Sequence, residues 1–208
     1  AMIDAFRTGQ DIHRMTASQV FHLPPELITP ILRSRAKAVN FGIVYGIGAF
    51  SLAKDIHVSR AEAGQYIRDY LAHYTGVDAY MTRVVAQART DGYAQDLFGR
   101  RRYLPELASS NFNLRSFGER VARNMPIQGA AADIIKIAMI RVRDRLRAEG
   151  LRARLILQVH DELIVETPES EAVRAADILK EEMEHAVVLR VPMTVDIHMG
   201  KTWYDAKG

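Results

Sequence analysis

Apolar and polar residues follow a helical period through most of the first 125 residues of this 208-residue chain. The clearest helix start is at Thr29, a good N-cap, which Pro30 follows at the first helical position. The helix that begins there is predicted to run to Gly46.

Further helices and one hairpin follow along the chain. Ser59 and Glu62 have the spacing of a capping box, which predicts a helix over residues 60–74. The next helix is predicted over residues 77–90. The segment YAQDLFGRRRYLP, Tyr93–Pro105, is predicted to form a short β-hairpin with its glycine near the bend.

Two helices separated by a proline are predicted in the middle of the chain. The first follows the polar residues 109–111 and ends before Pro126. The second runs from about Gln128 to Glu149, where Gly150 closes it.

The period of the pattern changes after residue 150. The runs ARLILQV and ELIVET, separated by His160 and Asp161, predict an antiparallel hairpin with that pair at its turn. An amphipathic helix over about 170–188 and one more strand at VPMTVDIHM follow. The predicted fold class is therefore α+β. Residues 1–125 form a mainly helical lobe, residues 126–208 a mixed lobe, and the two are expected to meet at a cleft.

Composition and charge narrow the possible functions. The chain has no cysteine, which excludes disulfides and thiolate metal sites. It has neither a run of about 18 apolar residues nor a basic-then-apolar start, so no membrane span or signal peptide is expected.

Charge is unevenly distributed along the chain. The numbers of Lys/Arg and of Asp/Glu are 10 and 9 in residues 1–99, 13 and 5 in residues 100–154, and 5 and 11 in residues 155–208. A basic middle and an acidic end favour a surface that binds a polyanion and leads to a metal site. Basic and acidic helices that are solvated on different faces would give the same distribution of charge.

A stripe of two cations and two aromatic rings lies on the predicted helix from Pro30. Its members, at steps of four, are Arg33, Lys37, Phe41 and Tyr45, spread over roughly 18 Å of helix. Cations suit phosphate oxygens, and flat rings suit a sugar and base, so a nucleoside triphosphate fits this order. The alternative is an ordinary helix with rings in the core and solvated cations. Gly42 and Gly46 favour the nucleotide site over an ordinary helix, because they cost helix stability and leave a face open for close approach.

The predicted hairpin at His160 and Asp161 presents Asp161 and Glu162 at a tight bend. Carboxylates at a rigid turn can reach a divalent ion such as Mg²⁺, although a two-metal site needs a second carboxylate from elsewhere. Acidic residues are also common in turns without any such role. A His-Asp pair occurs in metal phosphohydrolases as well, but on helices with further ligands nearby.

Five segments, in order, resemble the family-A DNA polymerases of the bacterial DNA polymerase I type. RSRAKAVNFGIVYG resembles motif B, the finger helix written R-x3-K-x3-F/Y-x3-Y-G, and QVHDE resembles motif C. GQDIH near the start, and FGRRRYLPEL and ERVARNMPIQGAAADIIKIAM between the two motifs, are similar to the family too. The resemblance covers essentially the whole chain.

The resemblance implies a nucleotide site on the finger helix. Arg33 and Lys37 would bind the incoming deoxynucleoside triphosphate, and Lys37 would also act in catalysis. His13 would help at the phosphates. Phe41 would pack on the nucleotide sugar and base, and Tyr45 would sit at the templating position.

The same resemblance implies metal and DNA contacts. Asp161 would bind the metals as a catalytic carboxylate, Glu162 would assist as a metal ligand, and His160 would approach the primer terminus. The residues implied in primer–template contacts are Arg120, Asn124, Gln128, Arg100, Arg101 and Arg102. The three consecutive arginines are equally compatible with a solvated charge run.

The implied chain is a fingers subdomain plus part of a palm, in which a β-hairpin and a packed helix carry motif C. The whole enzyme would add deoxynucleotides to a primer 3′-hydroxyl by two-metal phosphoryl transfer with Mg²⁺. Its partners would be primer–template DNA, deoxynucleoside triphosphates and the upstream palm and thumb segments, in the bacterial cytoplasm at the nucleoid.

The family's motif A, D-Y-S-x-I-E, is not found in this sequence, so the chain alone is expected to be inactive. A DNA-binding module without chemistry and a His-Asp phosphohydrolase stay open as alternatives.

Overall fold

The computed structural model describes residues 2–207 and has a mainly helical α+β fold, as the sequence predicts. The α-helices are α1 Met2–Arg7, α2 Ile12–Val20, α3 Pro30–Val44, α4 Ala49–Ile56, α5 Arg60–His73, α6 Thr75–Asp91, α7 Phe112–Ala148, α8 Ala172–Glu184 and α9 Trp203–Ala206. The strands are β1 Tyr93–Gln95, β2 Arg101–Tyr103, β3 Arg154–Val159 and β4 Glu162–Glu166. Short 3-10 helices are Pro25–Leu27, Pro105–Ala108 and Glu169–Glu171.

The chain divides into two compact units, one ending at Gly129 and the other beginning at Ala130. The division lies within α7, shortly after the boundary predicted at residues 125/126. The assignment of these units to fingers and palm stays a prediction.

The first unit is built around α2 to α5. Thr29 Oγ1 accepts a hydrogen bond from Leu32 N (3.3 Å) and Pro30 opens the first turn, so α3 begins where the sequence predicts. The Ser59–Glu62 capping box is also present at the start of α5. The core cluster of these helices is Val20, Val39, Ile43, Leu52, Ala53, Ile56, Ala63, Tyr70 and Tyr74.

Three helices of the first unit are not among those the sequence pattern predicts. In α2, the Asp11 side chain accepts hydrogen bonds from His13 N and Arg14 N, an ordinary N-cap that the sequence does carry. The helix α4 begins after Gly48 without any side-chain cap, so its start leaves little signal. The short α1 spans six residues, fewer than two turns.

The continuous helix α7 shows that the prediction of two helices separated by Pro126 is wrong. A proline inside a helix removes one hydrogen bond and crowds the preceding turn, at a cost of about 3 kcal/mol. Apolar side chains of α7 are buried on both sides of the proline. Ala122 and Met125 are buried before the proline, and Ala138 and Val142 are buried after it.

The second unit packs a β-hairpin against α8 and the end of α7. Strands β3 and β4 pair antiparallel with Val159 opposite Glu162, and the pairing shifts register between Leu155 and Leu157. This hairpin confirms the prediction for the two β-like runs. The core cluster of the unit is Ala138, Val142, Leu146, Ala153, Leu163, Ala175, Ile178 and Ala186.

The strand predicted at residues 191–199 is wrong. The exposure of the side chains from 191 to 198 alternates, as in an extended chain, yet no strand within residues 2–207 pairs with this segment. The Val195 backbone N–H donates to Glu184 Oε1 (3.0 Å) instead of to a neighbouring strand. Among the described helices, none is both long and apolar enough to cross a membrane.

Candidate nucleotide and metal sites

The stripe predicted on α3 is exposed along its whole length. Ala36, Val39 and Ile43 turn the opposite face of the helix into the core, which leaves the stripe to solvent. Phe41 and Tyr45 are 47% and 42% exposed, so these rings are not core residues.

The two aromatic rings of the stripe lie next to each other and nearly parallel. Their centroids lie 6.3 Å apart with an interplanar angle of 18°, and Lys37 Nζ lies 5.9 Å from the Phe41 centroid. A cation therefore borders a nearly continuous aromatic surface, as the spacing of Arg33, Lys37, Phe41 and Tyr45 predicts.

Asp11 connects the cationic end of the stripe to the start of α2. Its Oδ1 accepts from His13 N (3.0 Å) and Arg14 N (3.1 Å), while its Oδ2 accepts from Arg33 Nε (2.5 Å). Burial opposes ionisation of this carboxyl, but the hydrogen bonds from Arg33 and the backbone outweigh burial and lower the pKa of Asp11. Arg33 is thus held in place by an ionised carboxylate.

His13 lies against the middle of the stripe. Its ring centroid is 5.8 Å from that of Phe41, and its Nδ1 is 3.0 Å from Nδ2 of Asn40. Partial burial and the nearby charges of Arg33 and Lys37 lower the pKa of His13, against the opposing effect of Asp11. The neutral form of the imidazole is therefore favoured, and it can offer one N–H to an anion.

An open cavity of about 670 Å³ lies beside the aromatic half of the stripe. It is lined by Phe41, Tyr45 and the turn after α3, together with Asp55 and Arg120. Apolar ring faces and a few polar groups around an open space of this size suit an aromatic base.

Gly42 and Gly46 act differently from the expectation that they leave a helix face open. A Cβ at Gly42 would lie 2.6 Å from Ile47 Cγ2, because the chain after the helix folds back onto this position. Gly46 has φ +72°, a left-handed conformation that ends the helix. Both glycines serve the tight turn after α3.

The residues proposed to contact DNA from α7 fall on one face of that helix. Arg120, Asn124 and Gln128 follow at steps of four, and Arg120 Cγ would lie 3.1 Å from a Cβ placed at Gly46. Arg120 is therefore brought next to the end of α3. Asn124 Oδ1 is buried without a hydrogen-bond partner among the described residues.

The arginine cluster of Arg100, Arg101 and Arg102 lies on and just before β2, outside the α2–α3 region. The guanidinium group of Arg101 has local partners: its Cζ lies 4.6 Å over the Tyr93 ring, and its Nε donates to Gln95 Oε1 (3.2 Å). All three side chains are exposed.

The second unit carries the predicted carboxylates at its hairpin turn. His160, Asp161 and Glu162 are exposed, and His160 adopts φ +52°, a left-handed conformation that suits a two-residue turn. Gln158 Nε2 donates to the His160 carbonyl (2.6 Å), which braces the turn from one side. Within residues 2–207, no group of three or more His, Asp or Glu side chains is arranged to hold a metal.

Comparison with known proteins identifies the family. The family description "DNA polymerase family A" matches residues 1–205. The chain belongs to DNA polymerase family A. It is 55% identical over 206 residues to DNA polymerase I of Geobacillus stearothermophilus and 52% identical over 206 residues to that of Bacillus subtilis (strain 168). These matches cover 99% of this chain but 24% and 23% of those two proteins, so the chain spans about a quarter of their length.

A solved structure also matches. The POL domain of Pol1 from M. smegmatis, in complex with DNA primer-template and dNTP, superimposes with a TM-score of 0.94 at 46% identity. The match covers 99% of this chain and 36% of that chain.

Proposed function

We propose that this chain carries the triphosphate-binding part of a template-directed DNA polymerase. The observation that carries the proposal is the exposed stripe on α3, with Arg33 and Lys37 at one end and the rings of Phe41 and Tyr45 at the other. Phosphates bind the cations, the sugar packs on Phe41, and Tyr45 borders the space for a templating base. His13 adds a neutral N–H donor beside the phosphates.

The catalytic contribution of this unit is positioning and electrostatic. Lys37 lies next to the surface on which the nucleotide packs, so it faces the phosphates and stabilises the negative charge that grows during phosphoryl transfer. Arg33, already oriented by Asp11, adds a second fixed cation. Closure of α3 over a correct base pair would supply selectivity.

Mg²⁺ fits the side chains of the β3–β4 turn. Asp161 and Glu162 are adjacent and exposed, and Mg²⁺ prefers one or two carboxylates together with water and phosphate oxygens. When bound, the ions would offset negative charge at the reacting phosphate. These two carboxylates supply only part of a two-ion site, so the chain alone should not extend a primer.

The further partners of this proposal are primer–template DNA and the rest of a complete polymerase. Arg120, Asn124 and Gln128 offer one face of α7 to the primer–template, while His160 lies beside Asp161 for the primer end. The bacterial cytoplasm and nucleoid are where such an enzyme would work. The His-Asp phosphohydrolase has no support, because His160 and Asp161 lie in a hairpin turn.

The experiment that tests the proposal compares two lysines of the same unit. Lys37→Ala should weaken binding of a deoxynucleoside triphosphate about tenfold, because it removes a cation from the phosphates. Lys54→Ala is the matched control, since Lys54 Nζ also lies over an aromatic ring, 4.6 Å from the Phe50 centroid. Binding of bare DNA should change little in both variants.

Equal triphosphate affinity of the parent chain, Lys37→Ala and Lys54→Ala would contradict the nucleotide site. Loss of DNA binding alone, with triphosphate binding unchanged in Lys37→Ala, would favour a DNA-binding module without chemistry.

A further inference from the structure

A chain of hydrogen bonds runs from the core of the first unit to the His13 ring. Tyr74 OH lies 3.4 Å from Thr16 Oγ1, Thr16 Oγ1 donates to Asn40 Oδ1 (3.1 Å), and Asn40 Nδ2 lies 3.0 Å from His13 Nδ1. Thr16, Asn40 and Tyr74 are at most 9% exposed. A buried polar chain is costly unless its members satisfy one another, which these do.

The direction of these hydrogen bonds indicates which ring nitrogen of His13 carries the proton. Because Asn40 Oδ1 accepts from Thr16, the amide NH₂ faces the imidazole, and a neutral ring must then accept at Nδ1. Its proton is consequently on Nε2, the nitrogen that Asn40 does not contact. In this arrangement Asn40 presents its N–H donor to the imidazole, and the hydrogen bond with Thr16 holds the amide in place.

We propose that Asn40 is a positioning residue that, held by Thr16 and Tyr74, keeps His13 as the Nε2–H tautomer for donation to the nucleotide's phosphates. The inference rests on the proposed triphosphate site and assigns Asn40 as a residue that positions one of its side chains. The charged groups facing the ring are Arg33, Lys37 and Asp11. Partial burial and the two cations lower the pKa of His13, which favours the neutral ring. In a neutral ring the tautomer determines which nitrogen can donate.

The first test reads the tautomer directly in the 208-residue chain without ligand. The ¹⁵N NMR shifts of the His13 imidazole at pH 8 should show a protonated Nε2 and an unprotonated Nδ1. In Asn40→Asp, the carboxylate accepts from Nδ1–H instead, so the protonated nitrogen should change to Nδ1 and the His13 pKa should rise. A protonated Nδ1 in the parent chain would overturn the proposal.

The second test links the tautomer to phosphate binding, with inorganic triphosphate as the probe because it has no sugar or base. Thr16→Val removes the hydroxyl at nearly constant shape and should weaken binding about three- to tenfold. Thr16→Ser restores a hydroxyl and should restore affinity. Tyr70→Phe, a change at a neighbouring buried phenol outside the chain of hydrogen bonds, is the control for packing and should bind like the parent.

The outcomes separate this inference from the site on which it rests. If Lys37→Ala loses affinity while Thr16→Val and Asn40→Asp bind like the parent, the positioning role is wrong and the triphosphate site stands. If the parent chain binds no triphosphate, the site itself is wrong and the positioning role falls with it.

Discussion

Replacing Gly129 by alanine should destabilise the first unit, against the usual trend for a helical glycine. A Cβ at this position of α7 would lie 2.7 Å from Asp96 Oδ2 and 3.1 Å from Asp96 Cβ. Asp96 is buried, and its Oδ1 accepts from Phe98 N and Arg100 N, both at 2.9 Å, across the turn between β1 and β2. The carboxylate therefore cannot move away from a new methyl group without weakening those bonds.

The size of the effect follows from three contributions. Crowding a packed interior costs about 1–3 kcal/mol. Weakening hydrogen bonds to a charged group costs on the order of 1 kcal/mol more. Alanine regains about 1 kcal/mol of helix propensity over glycine. The net expectation for Gly129→Ala is a loss of about 1–3 kcal/mol in the free energy of unfolding.

The matched control is Gly64→Ala in the interior of α5. Its Cβ would lie 3.4 Å from Arg68 Nη1 and 3.8 Å from Ala49 Cβ, which are ordinary contacts, so this variant should gain up to about 1 kcal/mol. Urea denaturation followed by circular dichroism measures both variants. Hydrogen exchange at the amides of Phe98 and Arg100 reports on the turn, and both should exchange faster in Gly129→Ala.

A Gly129→Ala variant as stable as Gly64→Ala, with both turn amides still protected, would refute the reasoning. It would mean that α7 and the β1–β2 hairpin can separate by several tenths of an ångström at no cost. The Asp96 carboxylate would then not be a fixed contact.

Two further predictions concern the second unit. Leu146→Ala should lower the free energy of unfolding by about 2–5 kcal/mol, because Leu146 is 2% exposed. Ile140→Ala is the control on the same helix, and it should cost far less because Ile140 is 53% exposed. Thermal melts of the two variants would show whether their stabilities differ. Hydrogen bonds from Arg174 and Arg145 lower the pKa of Glu149 from 4.5 to about 2, so its contribution to stability is present above pH 4.5 and is lost as the pH falls toward 2. In Glu149→Gln that part of the acid dependence should disappear from a pH series of denaturation midpoints; an unchanged series would show that the two arginines do not favour the ionised form.

The elements that the sequence predicts are those with local signals. Thr29 before Pro30, and Ser59 three residues before Glu62, satisfy backbone N–H groups within one turn, so their helices begin where expected. The turn at His160 follows from two alternating runs with two residues between them. In each case the information lies within a few residues.

The failures come from interactions between distant residues. Pro126 is a local signal for the end of a helix, yet α7 runs through it, with Ala122 and Met125 buried in the turn before it. Likewise, the spacing of the α3 stripe says nothing about Asn40, whose partner His13 lies 27 residues earlier in the chain. The stripe could be predicted from the sequence, whereas the hydrogen bonds that orient its neighbours could not.

The carboxylate of Asp11 has a mechanical consequence. One oxygen holds the backbone of His13, the other holds the Arg33 side chain, and Asn40 on α3 holds the His13 ring. These hydrogen bonds connect α3 to the first turn of α2 at two points. The spacing between the imidazole and the guanidinium is thus set by hydrogen bonds within the unit.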